Sequence, residues 1–467
     1  MARPLPPGWS KQFSNTHKRD YWFNAADGTR SWVCPGVGEE EEQQQQSSPN
    51  KRARVETEAT KAEDCPSLSL ERARLLTECY EVFLGENEKI GEMGGNSKTA
   101  KACKRDGMRV GMQGMFGRII WTQLLKHVQA RGDIGTDPSS DAVFVPAPVV
   151  DAAVQQELVE AGRTEAQARG VMGALYTKIR QACQTLVTAA SAAASSSSSA
   201  TQSVALQGKL QADGHLHRDG NFMYRLDFGG TTHVISGTHL HKLLGLYRLH
   251  TAQPACPPTD ACFLRRTFCV LARYELLSGS SDGYQMAFPN VGFHWLRHNM
   301  GVTAECFASP LNCWNNHFCS VARDTDRFFG SMGNFFHLSP PEEGGSFEAN
   351  PPFVESIMNE MADKIEQLLT AAAAPFSFVV IVPAWTDCLG LMAMTNSRFL
   401  RPRAKYVLCL EKKRHNYRPG MQHRTEHAEQ PSNVDTLVFF LQNDAGAKRW
   451  PVTEALAEEL KRTVNIA

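Results

Sequence analysis

Gly345-Ser-Phe-Glu-Ala-Asn-Pro-Pro-Phe353 joins two patterns of opposite kind. Before it, Gly345-Ser-Phe-Glu-Ala349 predicts a short strand. After it, Val354–Leu369 carries apolar residues at helical spacing and predicts a helix. Further on, Phe376-Ser-Phe-Val-Val-Ile-Val382 is apolar almost without interruption, as expected of a strand covered on both sheet faces. Lys405-Tyr-Val-Leu-Cys-Leu410 and Asp435-Thr-Leu-Val-Phe-Phe-Leu441 predict two more strands. Upstream, Val302–Ala308 predicts a strand and Asn312–Val321 a helix. Strands alternating with helices imply an α/β sheet with its binding loops at the strand carboxyl ends.

Asn350-Pro351-Pro352-Phe353 therefore stands where such a sheet places a ligand. An exocyclic aromatic amine is a poor nucleophile because its lone pair is delocalised into the ring. The amide oxygen of Asn350 and the carbonyl of Pro351 are suited to accept its protons and localise that lone pair. Neighbouring proline rings fix the backbone that presents the carbonyl. Phe353 supplies a flat face for an extruded base. The same four residues also fit a proline-rich turn with Pro at the first helical positions.

The remaining chain sets the context. Its 467 residues suffice for two or three folded units. Lys+Arg equals Asp+Glu, so a nucleic-acid site must be a local patch. The thirteen Cys include no CxxC pair and the chain opens Met-Ala-Arg-Pro-Leu-Pro-Pro, which predicts reduced thiols and no signal peptide. No long charge-free apolar run predicts a membrane span. Residues 37–66, with Glu39–Glu42 and Gln43–Gln46, predict a disordered linker. Leu70–Leu84, Phe116–Val128 and Ala152–Val187 predict helices; the Ala/Ser tract Ala189–Ala200 is read as a loop. The expected units are 4–36, 37–66, a mainly helical 67–259, and an α/β unit 260–467. His215, His217, His233, His239 and His241 lack ligand spacing, and no metal is assigned.

Glu305-Cys-Phe-Ala-Ser-Pro-Leu-Asn312, Gly345–Phe353, Asp324-Thr-Asp326, Phe329-Gly-Ser331, Ser397-Arg-Phe399 and Phe439-Phe-Leu-Gln-Asn-Asp444 together resemble the phosphorylated-CTD-interacting factor family, the cap-specific adenosine methyltransferases. The resemblance runs from about 260 to 451. It implies a Rossmann-like methyltransferase domain with an associated helical domain, and S-adenosylmethionine as methyl donor. It implies N6-methylation of the 2′-O-methyladenosine beside the 7-methylguanosine cap of mRNA. Phe307, Ala308, Ser309, Pro310 and Asn312 then line the donor pocket with Gln285 and Asn350. Asp324 or Asp326 then receives the donor ribose; both acids also fit a solvated turn. A cationic 7-methylguanine prefers an aromatic face and a carboxylate; Glu355 and Trp385 match cap-contacting positions, while Ala384 and Thr386, beside Trp385, stand where relatives carry Glu and Arg. Glu355 alone also fits a first-turn acid. Arg401, Arg403 and Arg418, in a basic stretch with Tyr406 and Tyr417, suit RNA phosphates and unstacked bases.

Leu5-Pro-Pro-Gly-Trp9, Asp20-Tyr-Trp-Phe-Asn24, Arg30-Ser-Trp32 and Pro35 resemble a WW domain, a small antiparallel three-stranded sheet with Asp27-Gly28 as a hairpin turn. Tyr21 and Trp32 would form the groove for a proline-rich segment. Lys18 and Arg19 suit an adjacent phosphate; a plain proline-binding module stays open. In the family this module docks on the phosphorylated C-terminal domain of RNA polymerase II. The implied protein is a nuclear monomer, and Lys51-Arg-Ala-Arg54 is a short basic cluster compatible with import. An adenine methyltransferase of DNA or internal RNA, and a silent WW adaptor, are the alternatives.

Overall fold

The computed structural model describes residues 9–14, 19–24, 30–31, 66–91, 116, 120, 155–156, 158–159, 163–195, 203–211, 214–217, 222–278, 285–424 and 429–466. At its N-terminal end lie three antiparallel strands, β1 (Trp9–Ser14), β2 (Arg19–Asn24) and β3 (Arg30–Ser31). Trp9 pairs with Asn24 and Trp22 with Ser31. Of the segment 37–66 expected as a linker, 37–65 lie outside the described residues and Pro66 is already helical.

Helix α1 (Pro66–Gly91) packs along α2 (Glu165–Ser195). Their contact buries Leu75, Leu76, Phe83, Val171, Leu175 and Ile179. The tract read as a loop departs from expectation: Ala189–Ser195 continues α2. Alanine has the most favourable helix propensity, and an already nucleated helix extends through it at little cost. Of the helix expected at Phe116–Val128, only 116 and 120 are described, and both are helical. A three-stranded antiparallel sheet follows, β4 (Ala205–Gln207), β5 (Met223–Phe228) and β6 (Thr231–Ser236). Next come α3 (Gly237–His250) and α4 (Ala261–Ser278), and α4 also packs on α1.

Helix α5 (Asn290–Met300) leads into the central sheet. Its strands are β7 (Ala304–Glu305), β8 (His317–Phe318), β9 (Gly345–Ala349), β10 (Phe376–Pro383), β11 (Leu400–Arg401), β12 (Leu408–Leu410) and β15 (Thr436–Gln442). Two residues each of β13 (Asn416–Tyr417) and β14 (Gln430–Pro431) pair separately. The order is β11-β15-β10-β9-β7-β8, with β12 also on β15. Strands β8, β7, β9 and β10 run parallel; β15 is antiparallel to β10. The fold is thus mixed α/β around a mixed sheet.

Strand β10 is buried at every position. Phe378, Val380 and Val382 enter one core, whose sheet face is covered by Met361 and Ile365 of α7 (Glu355–Ala371). Val379 and Ile381 enter the other, against Phe293 and Leu296 of α5 and Leu460 of α10 (Glu454–Val464). That two-sided cover explains the uninterrupted apolar run. Gly344 has a φ of 76°, and a Cβ there would strike the Pro375 carbonyl that receives the Gly345 N–H at 2.9 Å. This close approach sets β9 against β10.

Two further expectations are corrected. The Val302–Ala308 strand contracts to Ala304–Glu305. Asn312–Val321 forms no helix but a loop followed by β8. The cause is tertiary. Glu305, 2 % exposed, accepts the N–H groups of Trp314 (2.9 Å) and Asn315 (2.6 Å), which a helix would turn along its own axis. Likewise the strand predicted from Lys405 starts only at Leu408, because Lys405 takes a φ of 66°.

The short helix α6 (Arg323–Asp326) is bound to α4 by a buried bidentate pair. Arg273 donates to both oxygens of Asp324 at 2.9 and 2.8 Å, each residue 3 % exposed. Removing one partner strands a buried charge. Asp324→Ala is expected to cost about 3 to 5 kcal/mol, seen as a lower urea midpoint at unchanged slope; an unshifted midpoint would refute this role.

Candidate active site

Strand β9 delivers Asn350 to the carboxyl edge of the parallel strands. Asn350 is 8 % exposed, and its Nδ2 donates to the Met286 carbonyl at 3.2 Å. That bond orients the amide and leaves Oδ1 as an acceptor that no described donor of the chain meets. Pro351 and Pro352 are buried. The Pro352 carbonyl receives the Val354 N–H at 2.7 Å, while among the described residues no backbone N–H meets the Pro351 carbonyl. Two acceptors thus remain on consecutive residues. Phe353 is half-buried, with the Tyr417 ring edge-on at 6.2 Å.

A cleft opens beside Pro352, walled by Phe307, Ala308, Ser309, Asn312, Asn334 and Phe335. Its β7–β8 side is held by a polar knot. Asn312 Oδ1 accepts from the Ser309 N–H (2.7 Å) and hydroxyl (2.9 Å), and Asn312 Nδ2 donates to the Gln285 carbonyl at 3.0 Å. Asn312 is therefore a cap for its own loop, and Gln285 joins the same knot. Opposite, Asn334 caps a 3-10 turn by accepting the Phe336 N–H at 2.9 Å. Its Nδ2 is buried without a partner. An orphaned amide donor between aromatic walls and hydroxyl groups suits a nucleoside-like guest, whose ribose and ring nitrogens need donors and whose base needs a flat wall.

Sequence reasoning missed Asn334, Phe335, Tyr274 and Ser320, which also line the cleft. A capping Asn before Phe335-Phe336 was the available signal for the first two. Of the residues expected at the donor, Gln285, Phe307, Ala308, Ser309 and Asn312 line this cleft; Asn350 is outside its lining, two residues before Pro352, and the Pro310 carbonyl lies 3.8 Å from Cys313 Sγ. Asp324 is instead occupied by Arg273. Asp326, fully buried, accepts hydrogen bonds from the Tyr274 and Thr325 hydroxyls, and Tyr274 reaches the cleft.

Glu355 opens α7 at the end of β9, and Trp385 follows β10, so neighbouring parallel strands bring both to one edge. Trp385 is half-buried and Thr386 exposed. Arg401 and Arg403 are engaged by C-terminal carboxylates, Asp444 of α9 (Asp444–Arg449) at 3.1 Å and Glu454 of α10 at 2.7 Å. Arg418 lies elsewhere, its backbone paired with Ala287 next to Gln285 and Met286. The described histidines form no metal-binding group with Cys, Asp or Glu. Of the groove residues, Tyr21 and Arg19 lie on β2, and Lys18 and Trp32 lie outside the described residues.

Residues 242–420 match the family described as Phosphorylated CTD interacting factor 1 WW domain. That span covers α3 to β13 and does not include the three-stranded sheet at 9–31. Two curated relatives are each named "mRNA (2'-O-methyladenosine-N(6)-)-methyltransferase". The one from Homo sapiens is 36% identical over 255 residues, 52% of this chain and 34% of its own length. The one from Mus musculus is 37% identical over 250 residues, 51% of this chain and 34% of its own. The match thus spans about a third of these relatives.

Burial pushes Asp326 up to about 7, against the hydrogen bonds from Tyr274, Ser320 and Thr325 that pull it down. A carboxyl raised on folding gives stability that is full below its ordinary value and lost as pH rises through the raised one. Asp326→Asn should therefore gain on the native chain between about pH 4 and 7 and track it above. Thermal midpoints across pH check this; parallel curves would contradict it.

Proposed function

We propose, on the premise that residues 242–420 belong to the phosphorylated CTD interacting factor 1 family, that this chain methylates N6 of the 2′-O-methyladenosine beside the 7-methylguanosine cap of mRNA. One observation carries the reading: the Asn350 amide is turned by Met286 so that Oδ1 stays open, with the Pro351 carbonyl open beside it. Two fixed acceptors can take both protons of one exocyclic amine. Bonded that way, the nitrogen lone pair turns out of conjugation and toward the cleft. Phe353 stacks on the target base, and Pro351-Pro352 keeps the backbone from yielding.

S-adenosylmethionine, when bound, supplies an activated methyl group. Phe307, Ala308, Ser309, Pro310 and Asn312, with Gln285 and the orphaned Asn334 Nδ2, hold it. Asp324 belongs to this set only indirectly, by fixing α6 behind the cleft. Glu355 and Trp385, brought to one edge, receive the cationic cap base, with Thr386 at the rim. Arg401, Arg403 and Arg418 are the basic residues proposed for the RNA strand; the ion pairs of the first two lower their rank against Arg418.

The three-stranded sheet at 9–31 is read as a WW domain whose Tyr21 and Trp32 groove, with Lys18 and Arg19, takes the phosphorylated polymerase tail. Its antiparallel pairing supports that reading. A nuclear monomer acting on new transcripts follows. The units 4–36, 37–66, 67–259 and 260–467 stay the proposed division.

The test is transfer of labelled methyl from S-adenosylmethionine to short RNAs differing only in the cap. Labelling of the capped adenosine-initiated RNA alone is expected. Equal labelling of uncapped RNA would favour an internal-RNA enzyme; none at all, an adaptor. Asn350→Ala is expected to lower turnover at least 100-fold, or about 2.7 kcal/mol, with donor affinity kept within about 3-fold. Retained turnover would remove Asn350 from the mechanism.

A further inference from the structure

The β7–β8 loop has two faces. Asn312 lines the cleft described above, and the next residues, Cys313 to Asn316, line a separate cavity of about 350 Å³. Its far wall is α3, which contributes Lys242 and Gly245, and its side is Arg418.

The cavity gathers positive charge. Lys242 Nζ is held 3.4 Å from the Leu311 carbonyl, and Arg418 is fixed through reciprocal backbone bonds to Ala287 and through Gln422 Oε1. Among the described residues neither cation has a carboxylate partner within salt-bridge distance. Burial pulls both below their ordinary range, and for Lys242 the nearby Arg418 adds to it. Two part-buried cations without an ion pair are costly unless an anion visits. The carboxyls around them do not fill that place. Glu305 lies behind the loop, its pKa pushed up to about 7 by burial and Oε1 taken by Trp314 and Asn315 N–H. Glu429 accepts the Asn290 N–H at the rim, 3.3 Å.

Two other features point to a nucleotide. Asn315 is 2 % exposed, and its Oδ1 has no partner. Trp314, half-buried, stacks on Phe293 with centroids 5.4 Å apart and planes at 4°. An indole held flat beside clustered cations is a stacking platform beside a phosphate site. At Gly245 a Cβ would meet nothing within 4 Å, so the wall stays open.

We infer that this cavity is a phosphate pocket for the RNA substrate, in which Lys242 and Arg418 take phosphate oxygens and Trp314 stacks the adjoining base. The inference rests on the RNA reading above and extends it to residues on the opposite face of the same loop. A strand whose target base enters beside Asn350 is then gripped one loop away, and the grip is independent of sequence.

Fluorescence anisotropy of three labelled probes tests this: a capped dinucleotide, a capped hexanucleotide and the uncapped hexanucleotide. Lys242→Gln is expected to weaken RNA severalfold and to reduce the salt slope by about one, with S-adenosylmethionine binding unchanged by calorimetry; Lys242→Arg should restore both. Gly245→Glu, which sets an anion in open space without touching a core, should weaken RNA likewise. A loss confined to the hexanucleotides assigns the pocket to a downstream phosphodiester, and an equal loss on the dinucleotide to the cap bridge; each supports a phosphate pocket. Unchanged affinity and slope for both Lys242→Gln and Gly245→Glu overturn it. RNA binding that depends on Lys242 in a protein that transfers no methyl would instead sink the methyl-transfer reading alone.

Discussion

A single buried carboxyl sets the working edge of this protein. Glu305 ends β7 and spends Oε1 on the N–H groups of Trp314 and Asn315. Those bonds stop the chain from coiling after the strand and hold it open as a loop. Both cavities at the carboxyl edge share that loop. One face of it, tied by Asn312 to Ser309 and Gln285, walls the cleft beside Pro352. The other carries Trp314 and Asn315 to the cationic cavity. Glu348 stands opposite Glu305 in the β7–β9 register, also buried, and burial holds its carboxyl above the usual range. Two such groups at ladder partners do not both ionise readily.

The same logic separates what the sequence made legible from what it did not. Asn350 to Phe353 was legible because proline is unmistakable between a strand and a helix, and strand β10 because apolar residues on both faces leave no other reading. Helix α7 followed from its period. The segment after Glu305 was not legible. Asn312 to Val321 has helical spacing, and the residue that overrides it lies seven positions upstream of its start, reaching the loop only in three dimensions. The ion pair of Asp324 was not legible for a similar reason: an acid in a turn looks solvated or available until Arg273, fifty-one residues earlier, closes on it. The alanine tract failed in the other direction, since composition alone does not show that α2 is already under way.

The cleft itself divides its labour. Apolar walls and buried amides provide shape, and among the described residues Asn350 Oδ1 and the Pro351 carbonyl keep spare acceptor capacity beside the cleft. The strongly perturbed carboxyls, Glu305, Glu348 and Asp326, are structural in placement, sitting beneath the edge or behind it. That distribution fits a reaction governed by orientation of a weak nucleophile, with charge kept at a distance and used to stiffen the frame.

The account turns on which atom is attacked. Nuclease digestion of a capped adenosine-initiated RNA after incubation with S-adenosylmethionine, followed by mass spectrometry of the released nucleosides, answers that directly. The account predicts one added methyl, on N6 of the 2′-O-methyladenosine next to the cap. A methyl found on ring N1 or a ribose oxygen, or on internal adenosines in equal amount, would contradict it.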